Sequence, residues 1–284
     1  MMKQGLDGVP TWQEYLVKKL PSGSKIGVDP SLITAEDVKG LKKELQKKGS
    51  EVVALTENLI DQIWDAEGGR PPKPSEPIFM LPDKAAGKSY AEKVKEVREE
   101  LKKKKQEGSD EEGSIIGFVA NMLDEVAWLF NLRGSDVPYN PVFFSFALVL
   151  PDKTFLYIDE KQLDASAKQA LGSYKDVQVR PYASFYEDLA QHGGALPGGK
   201  KILIGKRASL AIQQALGGEA KAQIDRSVVV DAKSIKNPTE LEGFRESHIR
   251  DGAALAQYFA WLEEALGKGE KVTESQGADQ LEAF

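Results

Sequence analysis

The chain has 284 residues, 41% of them hydrophobic and 29% charged, with a formal net charge of -6. This mixture can bury a core and excludes a wholly disordered chain; the length fits about one or two domains. A pI of 5.3 argues against nucleic acid as a partner, because phosphate backbones are bound by basic faces.

The chain contains no cysteine, which excludes disulfides, Cys-ligated zinc and a cysteine nucleophile. Met1 to Pro10 lacks a signal-peptide-like apolar run, and no stretch reaches the ~18 apolar residues of a membrane span. A cytoplasmic protein with neither nucleic acid nor membrane as a partner is expected.

Thr11 predicts the cap of a short helix carrying Trp12, Tyr15, Leu16 and Leu20 on one face. Lys25 to Pro30 reads as a strand entering a turn. Thr34 caps a second helix with Val38, Leu41 and Leu45 inward, stopped at Gly49. Val52, Val53 and Leu55 form another strand, and Asn58 to Trp64 a helical turn. Two such strands cannot make a stable sheet alone. The prolines at 71, 72 and 74 then supply no donors, so residues 71–87 read as a linker.

Ser89 opens a helix to about Lys105 with Tyr90, Val94, Val97 and Leu101 on one face. Gln106 to Ser114 is polar and Gly-rich and reads as a surface loop. Ile115 to Ala120 is a buried strand, Leu123 to Leu129 a short amphipathic helix, and Val142 to Leu150 with Thr154 to Ile158 a hairpin. Helices at 163–170, 182–191 and 208–216 alternate with strands at 177–179 and 201–204. Ser227 to Val230 closes the run. The pattern predicts a sheet of about five strands, and a domain over 88–231. Beyond it, 232–284 begins something new. Asn237, Pro238 and Glu240 mark the capped start of a long helix, and Thr273 with Gln276 the start of another, whose apolar stripe would hold Leu281 and Phe284.

Neither HExxH nor GxSxG is present. His192 stands before Gly193-Gly194, and its plainer reading is an exposed histidine at a helix end. His248 shares a helix face with Asp251, but a metal site would need more members nearby and none is apparent. Gly193-Gly194 and Gly198-Gly199 do not have phosphate-loop spacing and read as a solvent loop. The segment Leu123 to Ser145 is less generic: a short apolar helix, a glycine turn, a proline-bracketed loop and an aromatic strand. Arg133 and Asp136 flank the turn. They either stiffen the loop or line a pocket.

That segment, LDEVAWLFNLRGSD followed by NPVFFS, resembles the middle domain of the eukaryotic cytosolic Xaa-Pro aminopeptidase (aminopeptidase P) family. Gly27 to Pro30, Glu57 to Trp64, Ile235 to Gly243 and Ser247 to Asp251 extend the resemblance along the chain. It implies an α/β fold: creatinase N-terminal-like (ribonuclease H-like) mixed-sheet domains, followed by the first helices of a pita-bread α+β catalytic domain. It divides the chain into the end of a first domain (1–70), the linker (71–87), a middle domain (88–231) and the start of the metallopeptidase domain (232–284).

The family cleaves the N-terminal residue from peptides with proline in second position. It uses two metal ions, usually manganese, held by two Asp, one His and two Glu, and its members form homodimers. The family's ligands fall after Phe284, so the resemblance assigns no catalytic or metal residue to this chain, and no metal is expected on it. The chain is expected to be an internal fragment, inactive alone; the alternative is a non-catalytic dimerisation or interaction module. The start of the first domain is missing relative to the family, including a peptide-contacting arginine, and the Gln106–Ser114 loop resembles an insertion.

Overall fold

The computed structural model describes residues 2–105 and 114–284; the predicted insertion loop, apart from Ser114, lies outside them. The described residues group into two compact units. One comprises residues up to Leu81 with Tyr90–Ser234, the other Pro82–Ser89 with Ile235–Phe284.

In the first unit, α1 (Trp12–Lys19) begins with a reciprocal cap: Thr11 Oγ1 accepts from Glu14 N at 3.2 Å, and the Glu14 carboxylate accepts from Thr11 N at 2.8 Å. β1 (Lys25–Val28) and β2 (Glu51–Ala54) pair in parallel, and α2 (Ala35–Gln46), capped by Thr34, buries Leu41 and Leu45 against them. Leu16, Val17 and Leu20 join this small core. Trp12 and Tyr15, expected on the inner face, are exposed instead: the stripe that packs runs through residues 16, 17 and 20.

Two strands bury too little to stand alone. Here they lean on the next layer through backbone bonds from Ala35 N to Ala208 O, Leu210 N to Ile33 O and Ala211 N to Pro30 O, at 2.9, 2.9 and 2.8 Å. α3 (Leu59–Ala66), capped by Asn58, leaves Leu59, Ile60, Ile63 and Trp64 exposed.

Residues 71–77 carry no regular element. Ile78 is then fully buried, and β3 (Phe79–Met80) pairs antiparallel with β5 (Leu132–Arg133). α4 (Asp83–Ala86) belongs to the second unit. α5 (Tyr90–Lys103) buries Tyr90, Val94, Val97 and Leu101, as its periodicity predicts.

The main sheet has six strands in the order β10-β9-β4-β6-β7-β8. They are β4 (Ile115–Ala120), β6 (Phe146–Val149), β7 (Thr154–Ile158), β8 (Val177–Pro181), β9 (Lys201–Gly205) and β10 (Ala222–Asp225). β4, β9 and β10 run parallel, β7 and β8 likewise, while β6 is antiparallel to both neighbours. One face is covered by α5, α6 (Leu123–Phe130), α7 (Ala165–Ser173) and α10 (Val228–Ser234), around Phe118, Val126, Leu129 and Val229. The other is covered by α8 (Phe185–Ala195) and α9 (Leu210–Ala215), around Val119, Phe185, Ile204 and Ile212.

Several expectations need correcting. The sixth strand, Ala-Gln-Ile-Asp at 222–225, is too short and polar to stand out, yet it completes the sheet. Val228 to Val230 looks strand-like because it is β-branched. Ser227 Oγ instead accepts Val229 N and Val230 N, and the segment turns into α10. The strand expected from Val142 begins only at Phe146. Gly193-Gly194 lies in the last turns of α8 rather than in a loop: a Cβ on Gly193 would sit 2.1 Å from Leu216 O, so glycine is needed for close helix contact.

In the second unit, α11 (Pro238–Gly267) carries the predicted Asn237–Glu240 capping box, and Asn237 Nδ2 donates to Ala86 O at 2.9 Å. α12 (Glu274–Ala283) carries the Thr273–Gln276 box. Gly277 lets α12 approach Tyr258, whose hydroxyl would lie 2.8 Å from an added Cβ. Along α11, Ile249, Leu255, Phe259 and Leu266 are exposed.

Candidate functional site

The Leu123–Ser145 segment links β4 to β6 through α6 and β5. α6 ends on Asn131, in the left-handed conformation at φ 55, which asparagine tolerates better than most residues. Its C-terminus is closed from inside by a lysine. Lys93, 1% exposed, donates through Nζ to Trp128 O at 2.8 Å and Asn131 Oδ1 at 2.5 Å, and lies 4.2 Å from the Trp128 ring. A cation at the negative end of a helix, bonded to one of its last carbonyls, is favourable.

β5 follows, then Gly134, whose Cβ would meet that of Phe143 at 2.9 Å. Tyr139 stands at the loop tip, 91% exposed with φ 62.

Asp136 lies beneath this loop, 3% exposed. Its carboxylate accepts from Glu76 N at 2.9 Å, Phe144 N at 2.9 Å and Gln162 Nε2 at 3.0 Å. Gln162 Nε2 also donates to Glu76 O at 2.9 Å. Nearby, Lys73 Nζ lies 3.4 Å from the Tyr182 ring centre and 4.8 Å from that of Phe144, and burial lowers its pKa. The chain after the proline run is thus fastened to the sheet from both sides of the loop.

Arg133 is placed differently. It is half-buried and donates through Nη1 to Ala127 O and Leu132 O at 3.0 and 2.9 Å. It lines a recess of about 540 Å³ with Trp128, Val137, Asn140, Val142 and Lys233. Asp136 is not on its wall. The recess is mostly apolar with a few fixed polar groups, the composition of small-ligand sites.

The histidines do not join it. His192 was expected to be exposed; it is half-buried, its ring 4.8 Å from that of Phe155, and desolvation lowers its pKa, with Asp188 opposing and Arg180 reinforcing the effect. His248 is exposed, with Nδ1 2.7 Å from Phe244 O. Among the described residues, no three His, Cys, Asp or Glu side chains converge as metal ligands would. The described residues therefore do not fit a dinuclear metal centre.

Sequence reasoning missed Lys93, Glu125 and Gln162. Lys93 has a visible signal, since it falls within the apolar stripe of Tyr90, Val94 and Val97. Glu125 sits in a helix whose other residues are nearly all apolar. Gln162 has no such signal.

A mixed sheet with helices on both faces, and this loop at one end, defines a creatinase N-terminal-like α/β protein. The chain belongs to the Creatinase/Prolidase N-terminal domain family, which matches residues 69–240. It is 49% identical to Probable Xaa-Pro aminopeptidase P of Coprinopsis cinerea, over 100% of this chain and 45% of that protein. The corresponding protein of Penicillium rubens is 47% identical over 99% of this chain and 45% of its own length.

Among solved structures, X-prolyl aminopeptidase from Caenorhabditis elegans, described as a cytosolic enzyme with a di-nuclear active site, matches with a TM-score of 0.86 at 32% identity. That match covers 99% of this chain and 44% of the other. The chain spans less than half the length of these relatives.

Proposed function

We propose that this chain is the non-catalytic part of a metal-dependent aminopeptidase that releases the N-terminal residue from short peptides with proline in second position. The observation that carries this reading is the 49% identity along 100% of the chain to a protein named for that activity. Such bonds need a dedicated enzyme because the proline nitrogen has no hydrogen to donate and its ring restrains the backbone.

In this reading the whole protein is a cytoplasmic homodimer using two manganese ions, and its metal ligands lie outside the present residues. The boundaries at 70, 87 and 231 mark the first domain, linker and middle domain. Arg133 lines a peptide-side pocket and Asp136 holds the loop that shapes it.

The test is hydrolysis of a Xaa-Pro peptide by the purified chain after incubation with manganese, beside a full-length relative. Turnover by the relative alone supports the reading, and turnover by the chain overturns it. A second reading, an interaction module without chemistry, is favoured by the exposed Ile249, Phe259 and Leu266 on α11. Mixing the chain with full-length protein and measuring mass by light scattering separates the two: a monomer that ignores the longer protein counts against the module.

A further inference from the structure

A second recess lies at the carboxyl ends of β4, β9 and β10, lined by Asn121, Glu125, Lys206, Arg207, Arg226 and Ser227 and enclosing about 390 Å³. Its position follows from topology. β4 and β9 are adjacent and parallel. After β4 the chain enters α6, on the face that holds Phe118 and Val126. After β9 it enters α9, on the opposite face with Ile204 and Ile212. Two parallel neighbours whose following helices diverge to opposite faces leave a crevice between their ends, and in open α/β sheets ligands bind at such switch points.

The chemistry of the walls narrows the ligand. Lys206, Arg207 and Arg226 are exposed cations on the rim. Arg226 is neutralised by Asp231 at 2.5 Å, and Asp124 by Lys233. Lys206 and Arg207 form no ion pair among the described residues; the Asp225 carboxylate acts electrostatically on Lys206 but is itself paired with Lys104 at 2.6 Å, so the recess carries surplus positive charge. Asn121 and Ser227 add neutral hydrogen-bonding groups. At the base lies Glu125, 2% exposed.

Burial pushes Glu125 up to about 7; Asp124 raises it further, while Ser227 and Lys233 oppose. The protonated carboxyl is a donor rather than a second anion. The volume exceeds that of a bare tetrahedral anion and falls within the range of small-molecule sites.

We infer that this recess binds a small phosphomonoester, with its dianionic head between Lys206, Arg207 and Glu125 and its organic part against Val230. This inference does not rest on the function proposed above.

Sulfate is the first probe, because it stays a dianion across neutral pH. Amide shifts of the whole chain are followed while sulfate replaces chloride at constant ionic strength, then with inorganic phosphate, glycerol phosphate and glycerol. Saturable shifts confined to Asn121, Gly205 to Arg207 and Arg226 to Ser227 are expected, with glycerol phosphate binding more tightly than phosphate and glycerol not at all.

Replacing both Lys206 and Arg207 with alanine is expected to weaken binding about tenfold or more, as loss of charge-assisted hydrogen bonds does. Sulfate affinity is expected to fall as pH rises through about 7 and to become flat in Glu125→Gln, which keeps a donor. Shifts no larger than chloride gives, shifts mapping elsewhere, or unchanged affinity in the alanine variant would overturn the proposal. Equal affinity for phosphate and glycerol phosphate would overturn the assignment to a phosphomonoester.

Discussion

Asp136 Oδ1 accepts the backbone amide of Glu76 at 2.9 Å, joining the end of the proline run to the loop that follows Arg133. The other oxygen accepts from Phe144 N at 2.9 Å, so one buried carboxylate holds two separate stretches of backbone.

Asp136→Asn removes one of those acceptors and turns an amide NH2 toward a backbone donor. A loss of about 2 kcal/mol is expected, since a buried donor left unpaired costs about 1–3 kcal/mol. Hydrogen exchange checks the mechanism: the Glu76 and Phe144 amides are expected to lose protection more than those of α8. Uniform loss of protection would show that the carboxylate acts on the whole fold rather than on this fastening.

Lys93→Met keeps the length of the side chain and removes its ammonium. Asn131 Oδ1 and Trp128 O then lose a buried donor, and the end of α6 loses its cation. Urea unfolding is expected to show a loss of about 2–3 kcal/mol, the scale of hydrogen bonds to charged groups. No change in midpoint would mean that the methionine packs well enough to offset the lost bonds.

Two adjacent glycines of α8 are expected to respond with opposite sign. Gly193→Ala places a Cβ against the Leu216 carbonyl, forcing α8 and α9 apart at a cost of about 3 kcal/mol, the upper end of overpacking penalties. Gly194→Ala meets nothing within 4 Å and replaces a poor helix former, with a gain of about 0.5–1 kcal/mol. Thermal unfolding of the two variants provides the comparison, and equal shifts would contradict the packing described.

Glu125 has an unfolded value near 4.5 and a folded value of about 7. Between them the folded chain holds a proton that the unfolded chain has released, so stability falls as pH rises across that window and levels off above it. The loss attached to this one group is on the order of 3 kcal/mol. His192 works in the other direction: its folded pKa is lowered, so it costs stability as pH falls below its ordinary value. The difference between the wild type and Glu125→Gln isolates the carboxyl. That difference is expected to change between about pH 5 and about pH 7 and to be flat above; a difference independent of pH would contradict the buried position of Glu125.

Elements with capping residues and a clean apolar period were readable from sequence. Thr11, Thr34 and Asn237 start helices where expected, and Tyr90, Val94, Val97 and Leu101 face inward. The failures have local causes. Val228 to Val230 has strand propensity, but one serine hydroxyl starts a helix there. Ala222 to Asp225 is a strand because β9 offers it an edge, information that lies outside the segment. For the loop, the motif located Arg133 and Asp136 without separating their roles. That distinction depends on Glu76 and Gln162, which reach Asp136 only through the fold.

The most direct test of the account is Xaa-Pro hydrolysis by this chain after manganese loading, with bound metal measured in the same sample. Neither bound metal nor turnover is predicted, because among the described residues no cluster of ligands converges. Stoichiometric metal with release of the N-terminal residue would contradict the account and place catalytic ligands within these 284 residues.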